Sequence, residues 1–228
     1  MILLDYPEGY FMHNMGESNG EDTVKTGTTT VGLKFDGGLV LATEKRASMG
    51  YQVSSKNAKK VYEVDGGIGI TTAGSVGDIQ TMVKYMKAET NLFKYRKDRK
   101  MSPKAVASLM ANILQGSKMM PYLGLFILGG YNHEKGEAEI YQLDPAGGVL
   151  GEDPYYATGS GSQVAYGLLE DGFDDGMDRD AAVSLALRSI NSASERDIAS
   201  GNGFSVMVID ENGCHVMDDG EVEEYLVK

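Results

Sequence analysis

Glycine-bearing turns cut the apolar stretches of this chain into short runs, and that punctuation constrains the fold more than any other feature. Residues 29–35 alternate, with Val31, Leu33 and Phe35 on one face and Thr30, Gly32 and Lys34 on the other. They run into Asp36-Gly37-Gly38 and then into Leu39-Val40-Leu41-Ala42-Thr43, expected as a buried strand. Two such runs joined by a glycine turn form a β-hairpin. The device recurs for residues 60–64 and 68–72 around Asp65-Gly66-Gly67, and for 204–209 and 215–217 around Glu211-Asn212-Gly213. A further strand pair is expected over 122–128 and 138–143, turning near Gly136. Between these pairs the period becomes helical: Ile79, Met82, Val83 and Met86, then Val106, Leu109, Met110, Ile113 and Leu114 behind a Ser102-Pro103 start. Residues 163–169 and 181–194, the latter opened by Asp178, make a second helix pair. Strand runs separated by helix pairs imply an α+β fold with antiparallel sheets, not a doubly wound parallel sheet.

The chain has 228 residues, 42% of them hydrophobic, which supplies one domain-sized core. Its 30 glycines are about twice the average share, but they sit at turns and follow no repeat. A formal charge of -12 is the wrong sign for neutralising phosphates, so nucleic acid is not an expected partner. The basic run Lys84, Lys87, Lys94, Arg96, Lys97, Arg99 and Lys100 reads as the solvated face of a helix. Cys214 is the only cysteine, so no internal disulfide and no cysteine zinc cluster can form. A reducing, cytoplasmic location fits best. The first residues, Met1 to Glu8, lack the basic and apolar regions of a secretory signal, and no run reaches the ~20 apolar residues of a membrane span. Gly16-Glu17-Ser18-Asn19-Gly20-Glu21-Asp22 is polar and has no period, so residues 1–27 read as a leader, with order beginning at Thr28.

Much familiar chemistry is missing. His13 lies in the leader, His133 in a hairpin turn and His215 beside Cys214, and none has a partner at metal-ligand spacing. Cys214 and His215 are neighbours on a strand and point to opposite faces, so they cannot form a dyad. The string Gly16-Glu17-Ser18-Asn19-Gly20 lacks the strand before and helix after that a nucleophile elbow needs. There remains Gly27-Thr28-Thr29-Thr30-Val31-Gly32, at the junction of leader and first strand. A threonine is a competent nucleophile when its own α-amino group acts as base, and that amine titrates near pH 7.7–8.0. Only removal of the leader would free that amine. Glycine at position 27 spares the preceding carbonyl a crowding Cβ. By residue chemistry alone, three threonines also fit an ordinary strand.

The same segment resembles the processing site and mature N-terminus of proteasome β subunits of the archaeal type. The resemblance extends through Ala42-Thr43-Glu44-Lys45-Arg46, Asn57-Ala58-Lys59-Lys60-Val61-Tyr62 and Thr72-Ala73-Gly74-Ser75-Val76-Gly77-Asp78. It continues through Met119-Met120-Pro121-Tyr122, Ala157-Thr158-Gly159-Ser160-Gly161-Ser162 and Glu195-Arg196-Asp197-Ile198-Ala199-Ser200-Gly201. It implies a four-layer αββα sandwich, the N-terminal-nucleophile hydrolase fold, with residues 1–27 as a propeptide and 28–228 as one catalytic domain. It implies Thr28 as nucleophile and amine base, Lys60 as the charge beside its hydroxyl, and Glu44 as the acid holding Lys60. Gly74 would give a backbone N–H to the oxyanion, while Ser160, Asp197 and Ser200 would orient the amine and its water. Each also has a plain reading: an ion pair for Glu44 and Lys60, a strand-to-helix turn for Gly74, and helix caps for Ser160 and Ser200.

The resemblance further implies threonine-type hydrolysis of unfolded proteins without metal or organic cofactor. It places the chain in heptameric β rings stacked between α-subunit rings and fed by a regulatory ATPase. Two alternatives are a catalytically silent β subunit and an amidase of the same chemistry. By the family pattern, Ala47, Met49, Ala58, Thr72, Val76 and Gln80 form the pocket for the side chain before the cut bond. None of the six is charged, so charged side chains are disfavoured there and cuts after Leu, Phe, Tyr or Met are expected. The leader departs from a plain spacer in carrying the apolar Tyr10-Phe11-Met12.

Overall fold

The computed structural model describes residues 27–49 and 51–226. The expected leader up to residue 26, with His13, Tyr10-Phe11-Met12 and the Gly16-to-Gly20 string, lies outside them. The chain opens with strands β1 (Thr29–Phe35) and β2 (Gly38–Glu44), a short ribbon β3 (Ala47–Met49) and β4 (Gln52–Ser55), then β5 (Val61–Asp65) and β6 (Ile68–Gly74). Helices α1 (Val76–Lys97) and α2 (Pro103–Gly116) follow, and after them β7 (Gly124–Asn132), β8 (Glu137–Leu143), β9 (Val149–Leu150) and β10 (Tyr155–Gly159). The chain closes with α3 (Ser162–Gly172), α4 (Arg179–Ser194), β11 (Phe204–Asp210), β12 (Gly213–Val216) and α5 (Asp219–Leu226).

The long strands form two antiparallel five-stranded sheets, ordered β10-β1-β2-β11-β12 and β5-β6-β7-β8-β9. Residues alternate across each sheet and so divide the core into three layers. Val31, Leu33, Val40 and Ala42 point outward under α3 and α4, against Val183, Ala186, Leu187 and Ile190. Leu39 and Leu41 point inward, where they meet Ile127, Ile140, Met207 and Ile209 between the sheets. Beyond the second sheet, Met82 and Met86 of α1 and Met110 and Leu114 of α2 close over Ile70, Phe126 and Leu128. The result is the four-layer αββα sandwich. β2 is buried on both faces, so residues 39–42 carry an unbroken apolar run and not an alternating one.

The helix boundaries follow local chemistry. Ser102 accepts a hydrogen bond from Ala105 N at 3.3 Å with Pro103 in the first turn, and Asp178 accepts from Ala181 N at 2.8 Å. Lys84, Lys87, Lys94, Arg96 and Lys97 lie on the exposed side of α1, and Arg99 and Lys100 just beyond it are exposed too. Most strands differ from their expected bounds by a residue or two, and three of the differences bear on the site or the sheet. β7 covers Gly124–Asn132 and not 122–128, because its pairing with β8 continues to Asn132 opposite Glu137. β5 starts at Val61, which leaves Lys60 just before the strand, and β12 ends at Val216. Among the described residues no helix is long and apolar enough to cross a membrane.

Candidate active site

Thr28 immediately precedes β1, and the pairing of Thr29 with Gly159 and of Thr30 with Thr43 fixes it beside the end of β2. Glu44 is the last residue of β2. Lys60 arrives from the other sheet, its carbonyl held by the N–H of Thr72 at 3.0 Å. Its Nζ crosses the gap and donates to Thr28 Oγ1 at 2.9 Å and to Glu44 Oε1 through a very short bond. Thr28 Oγ1 donates in turn to the carbonyl oxygen of Gly27 at 2.7 Å. Contact between hydroxyl and ammonium therefore depends on how the two sheets pack.

Glu44 is fully buried, and Lys60 and Thr28 nearly so. Burial pushes the Lys60 ammonium below its ordinary pKa, opposed chiefly by the charge and hydrogen bond of Glu44. Asp197 also raises it and Arg46 adds to the lowering. Burial pushes Glu44 up, opposed by Lys60 and by the N–H groups of Arg46 and Gly201. Those N–H groups reach Glu44 Oε2 at 2.6 and 3.1 Å, while Thr29 N reaches Oε1 at 3.3 Å. Mutual attraction and these donors are what allow two ions to sit where water is excluded.

A second group gathers on the other side of Thr28. Asp197 Oδ2 accepts from Ser160 Oγ at 2.5 Å and from Ser200 Oγ at 2.6 Å. Thr28 N donates to Ser160 Oγ at 3.2 Å, and Ser200 Oγ lies 2.7 Å from Thr29 Oγ1. Neither serine caps a helix: the N-cap of α3 is Gly161, without a side-chain cap, and both hydroxyls turn to Asp197 instead. Gly74 ends β6 at φ 136, and a Cβ there would lie 2.2 Å from the carbonyl oxygen of Leu123. Only glycine suits that turn.

Thr28 and Gly74 open onto a cavity of about 330 Å³. Of the expected pocket residues, Ala47, Ala58, Thr72, Val76 and Gln80 line it. Met49 does not, and stands 59% exposed on β3. Tyr62, Lys59 and Ser48 line it as well and were not read from the sequence. The Tyr62 hydroxyl donates to the Lys59 carbonyl at 2.6 Å, and Lys59 Nζ lies 5.5 Å from the Tyr62 ring centre. The pocket therefore has a cation at its exposed rim that the six expected residues lack.

Arg46 was also missed as a site residue. Its Nε donates to Asn202 Oδ1 and its guanidinium to the Ile198 carbonyl, each at 2.7 Å, so it straps the segment that carries Asp197 and Ser200. The sequence signal was the turn composition Gly201-Asn202-Gly203, and the structure places all three residues at positive φ. Among the described residues no three His, Cys, Asp or Glu side chains are grouped to hold a metal ion.

Four layers with a threonine at the head of the first strand are the N-terminal-nucleophile hydrolase fold. The family model for the proteasome subunit matches residues 24–209. The chain is 48% identical over 203 residues to the proteasome subunit beta of Methanocaldococcus jannaschii, covering 89% of this chain and 90% of that protein. Against the proteasome subunit beta of Methanospirillum hungatei the identity is 46% over 201 residues, 88% and 95% of the two chains. Against that of Archaeoglobus fulgidus it is 46% over 208 residues, 91% and 97%. The chain belongs to the proteasome subunit family, and by similarity it is a β subunit.

Proposed function

We propose that this chain is the precursor of a threonine endopeptidase, with residues 1–27 as propeptide and 28–228 as the catalytic domain. The observation that carries the reading is a hydroxyl held from both sides: Thr28 Oγ1 accepts from Lys60 Nζ at 2.9 Å and donates to the Gly27 carbonyl oxygen at 2.7 Å. In self-cleavage, Thr28 Oγ attacks the Gly27 carbonyl carbon and the C–N bond to Thr28 breaks as its nitrogen takes the hydroxyl proton. The Thr28 amine is free from that point, and water then hydrolyses the Gly27 ester, which releases residues 1–27 with a Gly27 carboxylate and restores the Thr28 hydroxyl. In the mature enzyme that amine is the base for attack on other peptide bonds. Lys60, held by Glu44, stabilises the developing alkoxide. The Gly74 N–H faces the oxyanion, and Ser160, Asp197 and Ser200 orient the amine and its water.

The assembly proposed is a heptameric β ring stacked with α-subunit rings, in the cytoplasm, receiving unfolded proteins from a regulatory ATPase. Clustering of all the named groups around one hydroxyl supports this reading over a silent ring subunit. Ala47, Ala58, Thr72 and Val76 in the cavity wall favour cuts after Leu, Phe, Tyr or Met. Intact mass of the assembled protein should show loss of residues 1–27, and Thr28→Ala should keep the leader and lack peptidase activity. A fluorogenic panel varying only the residue before the cut should rank Leu, Phe and Tyr above Arg and Glu. A Thr28→Ala protein cut after Gly27 would end the nucleophile assignment. Faster cleavage after Glu would mean that Lys59 at the rim governs the pocket.

A further inference from the structure

Gly27 sits against a wall. A Cβ built on it would lie 1.8 Å from Ala199 Cβ, 2.9 Å from Ser160 Oγ and 3.1 Å from Ala199 Cα. A serine hydroxyl can rotate away, but a Cβ is fixed to its backbone. The backbone of Ala199 is itself pinned: its N–H donates to Asp197 Oδ1 at 3.2 Å and the next N–H, of Ser200, to the Asp197 carbonyl at 3.0 Å. On its other flank the Ile198 carbonyl is held by Arg46 at 2.7 Å. Gly27 is equally tied, its N–H donating to Ser48 Oγ at 3.3 Å and its carbonyl accepting from Thr28 Oγ1 at 2.7 Å. A side chain at position 27 would have to move the carbonyl that Thr28 is to attack.

We infer that Ala199 is the specificity-determining wall of the self-cleavage step, the residue that dictates glycine before the processed bond. The inference rests on the reading of Thr28 as the attacking group. Ala199 is not part of the lining of the 330 Å³ cavity, so its selection acts on the chain's own leader and not on the pocket for other peptides. Displacing a reacting carbonyl by about 1 Å costs on the order of 10²-fold in rate.

The test follows leader removal by intact mass as precursor assembles. Gly27→Ala should slow cleavage by about 10²-fold, and adding Ala199→Gly should recover most of that loss, because the 1.8 Å contact disappears. With Gly27 retained, Ala199→Gly should cleave like the parent and Ala199→Val, which thickens the wall, should cleave slowly. Parent-rate cleavage of Gly27→Ala or of Ala199→Val overturns the inference, as does a double variant no faster than Gly27→Ala alone. Thr28→Ala in the same series separates the two levels. If it stays uncut while the double variant is not rescued, the wall fails and the nucleophile stands. If it is cut after Gly27, both fail.

Discussion

Opposing influences from a few neighbouring atoms set the pKa of Lys60, with a net shift downward. Burial favours the neutral amine, and Glu44 pushes back toward the ammonium. If catalysis needs the ammonium, activity falls as pH rises through the pKa of Lys60 in the folded protein. Glu44→Gln removes the upward push, so that pKa drops further and the alkaline limb of kcat/KM should move to lower pH. An unmoved limb would mean that Lys60 does not titrate in that range. Lys60→Ala should lower kcat by roughly 10²–10³-fold, the scale for losing one preorganised electrostatic partner. Lys60→Arg should not restore it, because a planar fork cannot replace a compact ammonium between Oγ1 and Oε1. Removing one member of a buried pair leaves the other uncompensated, at a cost of about 3–5 kcal/mol. The paired change Lys60→Met with Glu44→Gln should therefore regain thermal stability while remaining inactive, which separates charge from folding.

The elements reach the site mostly through their ends. β2 delivers Glu44, the residue before β5 is Lys60, β6 ends at Gly74, and the α4–β11 link carries Asp197 and Ser200. That link also holds Gly201, Asn202 and Gly203 at φ 144, 66 and 97, a turn open to glycine and asparagine, and Arg46 bonds across it to Asn202 and the Ile198 carbonyl. Arg46→Ala should let the link drift and reduce kcat by about 10²-fold with a smaller change in KM, and Arg46→Lys should not replace both bonds. Because Arg46 lowers the Lys60 pKa, Arg46→Ala should also shift the alkaline limb to higher pH, opposite to Glu44→Gln. Mere destabilisation would not move it. Much of the fold was legible because its long elements carry their own period: β1 alternates, and α2 and α4 have capped starts. The unread elements lack such a signal. β3 and β4 have three and four residues, β9 has two, β10 has five with no alternation, and α5 buries only Val222. Motif resemblance named Thr28, Glu44, Lys60 and the Ser160–Asp197–Ser200 group, which the fold brings together. Tyr62 and Arg46 went unnoticed because their roles come from contacts across the fold, Tyr62 in the cavity wall and Arg46 reaching 152 residues along the chain to Ile198.

At the scale of the whole molecule, the lone chain leaves large apolar side chains in water beside the segments that build the site. Leu123, whose carbonyl crowds Gly74, is 62% exposed, and Met119 and Met120 before it are 96% and 82% exposed. Ile198, whose carbonyl anchors Arg46, is 72% exposed, and Tyr51 between β3 and β4 is 98% exposed. Covering such side chains is worth about 1.5–3 kcal/mol each, so ring contacts at these places would both drive assembly and fix the loops that position Gly74 and Asp197. Self-cleavage and peptidase activity should therefore depend on assembly. The β chain alone should elute small on a sizing column, keep its leader by intact mass and barely hydrolyse a fluorogenic peptide. Mixing with α subunits should shift it to a large particle, with leader loss and activity rising together. Replacing Met119 and Met120 with Gln should delay all three readouts in step, because neither residue lines the cavity. Full peptidase activity in the small-elution fraction would show that the isolated fold already holds its loops in place and that assembly serves another purpose.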